Sequence, residues 1–102
     1  MSTPKQTRPP GPEELERIAA RFKVLGDPMR LRILQAVCHE PRCVNDIVKA
    51  SGSTQANVSK HLALLAAAGI LARRKDGQCV FYGVKDKLAV RLCEMVRAQI
   101  AD

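Results

Sequence analysis

Apolar side chains recur along this chain at intervals of three and four residues, and glycines and prolines punctuate the runs. Leu15, Ile18, Ala19, Phe22 and Leu25 share one face at helical spacing. Pro12 opens that helix with Glu13 and Glu14 at the positive end of its dipole, and Gly26 stops it. Asp27-Pro28 starts a second helix, aspartate as cap and proline at the first helical position, with Leu31, Ile33, Leu34 and Val37 as its core. Pro41 ends it after Cys38-His39-Glu40. A short apolar helix over Ile47 to Ala50 then breaks at Ser51-Gly52. The next helix, Thr54 to Ala68, has a polar first turn backed by Val58, Leu62, Leu64 and Leu65, and Gly69 closes it. Two extended runs, Ile70 to Lys75 and Gln78 to Val84, flank Asp76-Gly77, a pair that tolerates positive φ at both turn centres and so predicts a hairpin. Lys85 to Asp102 reads as a final helix with Leu88, Leu92, Met95, Val96, Gln99 and Ile100 along one stripe and Arg91, Glu94 and Arg97 outside it.

Two helices joined by a tight glycine-containing turn, the second polar at its tip and apolar behind, form a helix-turn-helix. The expected fold is mainly α with a small β-hairpin: a winged helix-turn-helix of about five helices and a two-stranded wing. Gln, Asn, Ser and Lys on the tip can reach base edges and phosphates in a major groove. Ser53, Thr54, Gln55, Asn57 and Ser59 are therefore expected to read bases or set the helix in place, with Lys60 and His61 serving phosphates. Arg73, Arg74 and Lys75 put positive charge on the first strand of the hairpin, where a wing lies on the phosphate backbone; a solvated hairpin with a charged edge is the alternative.

Charge agrees with a polyanionic partner. Lysine and arginine total 17 against 10 aspartate and glutamate, a formal net charge of +7. The 102 residues leave room for one domain with a modest core. Residues 1–12, rich in proline and basic side chains, read as a disordered basic arm, and 13–102 as the DNA-binding and dimerisation domain. The arm lacks the apolar segment of a secretory signal, and no stretch approaches the roughly 20 apolar residues that span a bilayer. Four cysteines are too few for a disulfide scaffold of the secreted kind, so a cytoplasmic, thiol-reduced setting is expected. The apolar stripes of the first and last helices need a surface to cover them, and a second copy across a two-fold axis supplies one. Such a homodimer would also hold two reading helices about one DNA turn apart.

Leu25-Gly-Asp-Pro-Met-Arg-Leu-Arg-Ile-Leu34, Gln55-Ala-Asn-Val-Ser-Lys-His-Leu-Ala-Leu-Leu65 and Val80-Phe-Tyr82 together resemble the ArsR/SmtB family over roughly Glu13 to Ala101. The resemblance implies a small dimeric winged-helix repressor bound to double-stranded operator DNA, of a kind often released by metal ions, arsenite, reactive sulfur or oxidants. It does not name the effector. Arsenic-responsive members carry Cys-Val-Cys-Asp-Leu near the start of the third helix; Cys43-Val44-Asn45-Asp46-Ile47 keeps the first cysteine and replaces the second with asparagine. Zinc-sensing members place Asp and His pairs on the last helix, which here contains Asp86, Glu94 and Asp102 and no histidine. Sulfur-responsive members pair a cysteine of the second helix with one near the chain end; Cys38 and Cys93 lie in corresponding elements, offset by a turn or two.

Subtraction leaves the cysteines as sensing candidates, with a thiolate-bound metal or metalloid as the ligand they would hold. Cys43 stands where Ser or Thr would cap the third helix, with Asp46 in the capping-box position, and a thiol there feels the helix dipole. Cys38 and Cys93 are its candidate partners, although either could be a small packed hydrophobe. His39 beside Cys38 could add a nitrogen ligand, but two adjacent residues do not make a site. Two other function classes compete. A thiol enzyme built on Cys38 and Cys43 lacks both the two-residue spacing and a βαβ pattern, and a protein-binding winged helix would show an apolar tip in place of Ser-Thr-Gln-Ala-Asn. No enzymatic activity is expected.

Overall fold

The computed structural model describes residues 8–101. Residues 1–7 of the expected basic arm, and Asp102, lie outside the described residues. Five helices and three strands follow one another as α1 (Pro12–Leu25), α2 (Pro28–Val37), β1 (Arg42–Cys43), α3 (Val44–Ser51), α4 (Gln55–Ala67), β2 (Leu71–Asp76), β3 (Cys79–Val84) and α5 (Lys87–Ile100).

Helix boundaries follow local chemistry. The Glu14 carboxylate reaches back to accept from the Gly11 backbone N–H at 3.0 Å, and Pro12 takes the first turn of α1. Asp27 caps α2, its Oδ1 accepting from the N–H groups of Met29 at 2.8 Å and Arg30 at 3.2 Å. Those bonds, the Arg30 amide foremost, hold the Asp27 carboxyl below its ordinary pKa against a smaller opposing effect of desolvation. The end of α4 is a Schellman motif: Gly69 at φ +78° donates to Ala66 O and Ile70 to Leu65 O, both at 3.0 Å, while Leu65 and Ile70 are both fully buried.

The sheet is antiparallel in the order β1-β3-β2, so β3 is the central strand. The two-residue β1, with Arg42 opposite Tyr82 and Cys43 opposite Phe81, is an element the hydrophobic pattern did not signal; two residues carry no alternation. The hairpin also differs from expectation by one residue. Asp76 pairs with Cys79, which leaves Gly77-Gln78 as the turn, and only Gly77, at φ +65°, is left-handed. A positive φ confined to the first central residue is the II′ pattern rather than the I′ turn expected for Asp76-Gly77.

The core gathers Ile33, Leu34 and Val37 of α2, Ile47 of α3, Val58, Leu62 and Leu65 of α4, and Ile70, Leu71 and Tyr82 from the sheet side. Two residues expected inside are not. Leu64 is 41% exposed because the buried stripe of α4 runs 58, 61, 62 and 65, and position 64 falls off it. Leu31 is also exposed; it borders an apolar groove with Phe22, Leu25, Leu92 and Val96. The outer faces of α1 and α5 leave that groove uncovered, with Phe22 59% and Ile100 74% exposed. Arg21 Nη1 bridges the two helices at 3.0 Å from Asp86 Oδ2, and Asp86 in turn caps α5 by accepting from the Leu88 amide.

Candidate nucleic-acid interface

The tip of α4 is built by a run of short polar bonds. Gly52 ends α3 in the left-handed region at φ +71°, and its N–H returns to Val48 O. Ser51 Oγ donates to the same carbonyl at 2.9 Å and accepts from the Ser53 amide at 3.2 Å. Thr54 caps α4 through Oγ1, which accepts from the Asn57 amide at 3.1 Å, and Asn57 Nδ2 donates to Ser53 Oγ at 2.9 Å. Thr54, Asn57 and Ser53 therefore spend hydrogen-bonding capacity on the turn itself. Gln55, Ser59 and Lys60 are exposed, and no side-chain bond within the chain occupies them among the described residues.

Gln55 and Ser59 face the wing across a cleft that Arg73, Gln78, Cys43 and Tyr82 also line. Gln78, on the hairpin turn, also lines this cleft, although nothing in the sequence pattern marks it. Arg73, Arg74 and Lys75 are all exposed along β2. The Arg74 guanidinium lies over the Phe81 ring and within 3.5 Å of Asp76 Oδ2. The polar tip thus meets the basic strand at Arg73, in a cleft of the charge that a duplex requires.

His61 is the clear correction. Expected at the phosphates, it is 7% exposed, one of the four residues of the stripe by which α4 packs. Its spacing from Val58, Leu62 and Leu65 puts it on that stripe, although its residue type suits a phosphate. Its Nδ1 accepts from Arg30 Nε at 3.2 Å, and Arg30 Nη1 donates to Val24 O at 3.1 Å.

All four thiols are free. Cys43 occupies the N-cap position of α3 but makes no capping bond; its Sγ donates to Asp46 Oδ2 at 3.2 Å instead, because a carboxylate is a far better acceptor than sulfur. The expected capping box is therefore not formed. Cys38, donating to Gln35 O at 3.2 Å, lines a second cleft between α2 and α5 together with His39, Cys93, Glu94 and Arg97. Burial, with a smaller push from Glu94, raises the Cys93 thiol above its ordinary pKa. Cys43 lines the cleft beside the wing, so the structure groups Cys38 with Cys93 and sets Cys43 apart from them. Among the described residues no three His, Cys, Asp or Glu side chains stand together as a metal site, and no helix is long and apolar enough to cross a membrane.

Known proteins share both sequence and shape with this chain. The model for bacterial regulatory proteins of the arsR family matches residues 27–73, from the cap of α2 into the first wing strand. The cadmium resistance transcriptional regulatory protein CadC of Listeria innocua is 35% identical over 79 residues, 76% of this chain, and the match spans just under two thirds of CadC, 66% of its length. An HTH-type transcriptional regulator of Methanocaldococcus jannaschii is 35% identical over 85 residues, covering 82% of this chain and 96% of that protein. The antimony-specific transcriptional repressor AntR superposes with a TM-score of 0.80 at 28% identity, over 98% of this chain and 93% of its own. With the helix-turn-helix, the wing and the matched segment coinciding, the chain belongs to the arsR family of winged helix-turn-helix transcriptional regulators.

Proposed function

We propose that the chain is a homodimeric repressor that binds double-stranded operator DNA through α4 and the wing and carries out no catalysis. The observation that supports this reading best is the cleft in which Gln55 and Ser59 stand free beside Arg73, with Lys60, Arg74 and Lys75 exposed on the same two elements. Gln55 and Ser59, with Ser53, Thr54 and Asn57 shaping the turn beneath them, read the major groove, and the wing arginines follow the backbone. A second copy covers the exposed stripes of α1 and α5, which is where a chain with so small a core gains apolar burial. On this reading residues 13–102 serve both DNA binding and dimerisation, in the cytoplasm.

Release runs through thiols. Cys38 and Cys93 share a cleft beside α5, so a soft metal, a metalloid or an oxidising sulfur species bound there would act on the helix that faces the second copy. Such an effector releases the repressor only by binding the free and DNA-bound forms unequally. A thiol oxidoreductase built on Cys38 and Cys43 is disfavoured because those two line different clefts. The polar tip disfavours a protein-binding winged helix.

The test is fluorescence anisotropy with a duplex recovered by selection from random sequence, repeated with arsenite, persulfide, peroxide and divalent metals. Sequence-selective binding by a dimer supports the reading, and equal affinity for selected and random duplexes ends it. If Cys38→Ser and Cys93→Ser variants respond to every reagent as the parent does, the thiol mechanism fails while DNA binding stands.

A further inference from the structure

Arg30 joins three elements that no main-chain bond connects. Its Nε–H donates to His61 Nδ1 in the middle of α4 at 3.2 Å. Its Nη1 donates to the last-turn carbonyls of α1, Val24 O at 3.1 Å and Lys23 O at 3.5 Å, and its backbone N–H belongs to the Asp27 cap of α2. The guanidinium is planar and its donors fixed in direction, so one side chain sets the angle between α1 and α4. His61 is buried, on the stripe by which α4 packs.

We infer that Arg30 and His61 are a positioning pair that fixes the tilt of α4 relative to α1, and that protonation of His61 opens it. This rests on the operator-binding reading, in which α1 faces the second copy and α4 faces DNA. In the closed pair His61 is neutral with Nδ1 as acceptor, which assigns its proton to Nε2. A proton on Nδ1 would oppose Arg30 Nε–H and set two cations together. The charged groups brought to His61 are Arg30 and the Asp27 carboxylate, both from the N-terminal end of α2; α4's own Lys60 is exposed. Asp27 offsets part of the added charge but cannot replace the lost acceptor. Selectivity for the operator over random DNA therefore falls on acidification.

Three proteins test this: the parent, Arg30→Gln and His61→Asn, whose Oδ1 stands near the place of Nδ1 and does not titrate. Arg30→Gln should lose about tenfold in operator affinity. Its affinity for random DNA and its salt dependence should stay as in the parent, since a residue that touches no phosphate leaves the slope alone. His61→Asn should keep the neutral-pH selectivity of the parent and lose its acid dependence. Parent-like operator affinity in Arg30→Gln, a reduced salt slope, or an undiminished acid loss in His61→Asn overturns the inference. Should Arg30→Gln not fold, the parent and His61→Asn still decide it. If the parent binds no DNA, the operator reading falls, and the imidazole nitrogen shifts judge the pair alone: a protonated Nε2 and bare Nδ1 at neutral pH support it, and the opposite tautomer refutes it.

Discussion

Arg74 and Phe81 are directly opposed across the two long strands, and the guanidinium carbon stands 5.2 Å from the centre of the ring. The ring holds an otherwise flexible cation upright on the wing, a contact worth about 0.5–1 kcal/mol at an exposed site. Phe81→Leu should lower affinity for every duplex about two- to fivefold without changing the salt dependence. Arg74→Ala should lower it for every duplex and also cut the slope of log affinity against log salt by about one. Titrations at several salt concentrations separate the two.

Gln55→Ala should act differently. The side chain is exposed at the start of α4, free of the hydrogen bonds that build the turn. Loss of a base contact costs about 1–3 kcal/mol of discrimination and little non-specific affinity. Competition between the selected and a scrambled duplex measures this; equal losses on both would place the reading function elsewhere.

Phe22→Asp should split the dimer. The ring is more than half exposed on α1, at the edge of the groove that Leu92, Val96 and Ile100 of α5 also line. A carboxylate inside a covered apolar face cannot be solvated. Sedimentation at micromolar concentration should show the dimer for the parent and the monomer mass for the variant. A parent that sediments as a stable folded monomer would remove the dimer from the proposal.

The Asp27 cap should make stability depend on pH in one direction. Its pKa is depressed in the folded chain, chiefly by the Arg30 amide, so the ionised form is favoured there. The contribution is therefore present above the unfolded-state carboxyl value and fades as pH falls through the lower folded value. Asp27→Asn should melt earlier than the parent at neutral pH, and the gap should close as the pH is lowered through the acid range. Melting curves at a series of pH values check the trend.

Thiol reactivity should rank by place. Cys79 is exposed on the wing, and Cys93 is part-buried with its pKa raised. Iodoacetamide, which attacks the thiolate, should label Cys79 well before Cys93 in the folded protein. Mass spectrometry of timed samples reads the order.

Most of the fold was legible because its signals are local. Proline and aspartate at helix starts, the glycines at 26, 52 and 69, and helical periodicity each act within a few residues, and they placed all five helices. What escaped depends on distance along the chain. The pairing of Arg42 with Tyr82 joins residues 40 apart and leaves no trace in a two-residue strand. Gly77 takes the positive φ alone, since nothing in Asp76-Gly77 says which of two registers the strands will prefer. The exposed tip of α4 was readable from its polarity, whereas His61 was misassigned by its chemistry although its spacing pointed inward. Arg30 was not visible as a candidate at all, because its side-chain partners come from two other helices.

Strand β3 has a neighbour on each side, β2 across the hairpin and β1 at the entrance to α3. The hairpin is thereby clamped to the helix-turn-helix and is not a free flap. Swinging it away from α3 would break the Arg42–Tyr82 and Cys43–Phe81 pairing, so in the proposed complex each copy would meet the duplex with a head of fixed shape. A head that does not bend would leave the proposed repression to be tuned by aim: how two such heads are pitched and spaced against the helical repeat of the double helix.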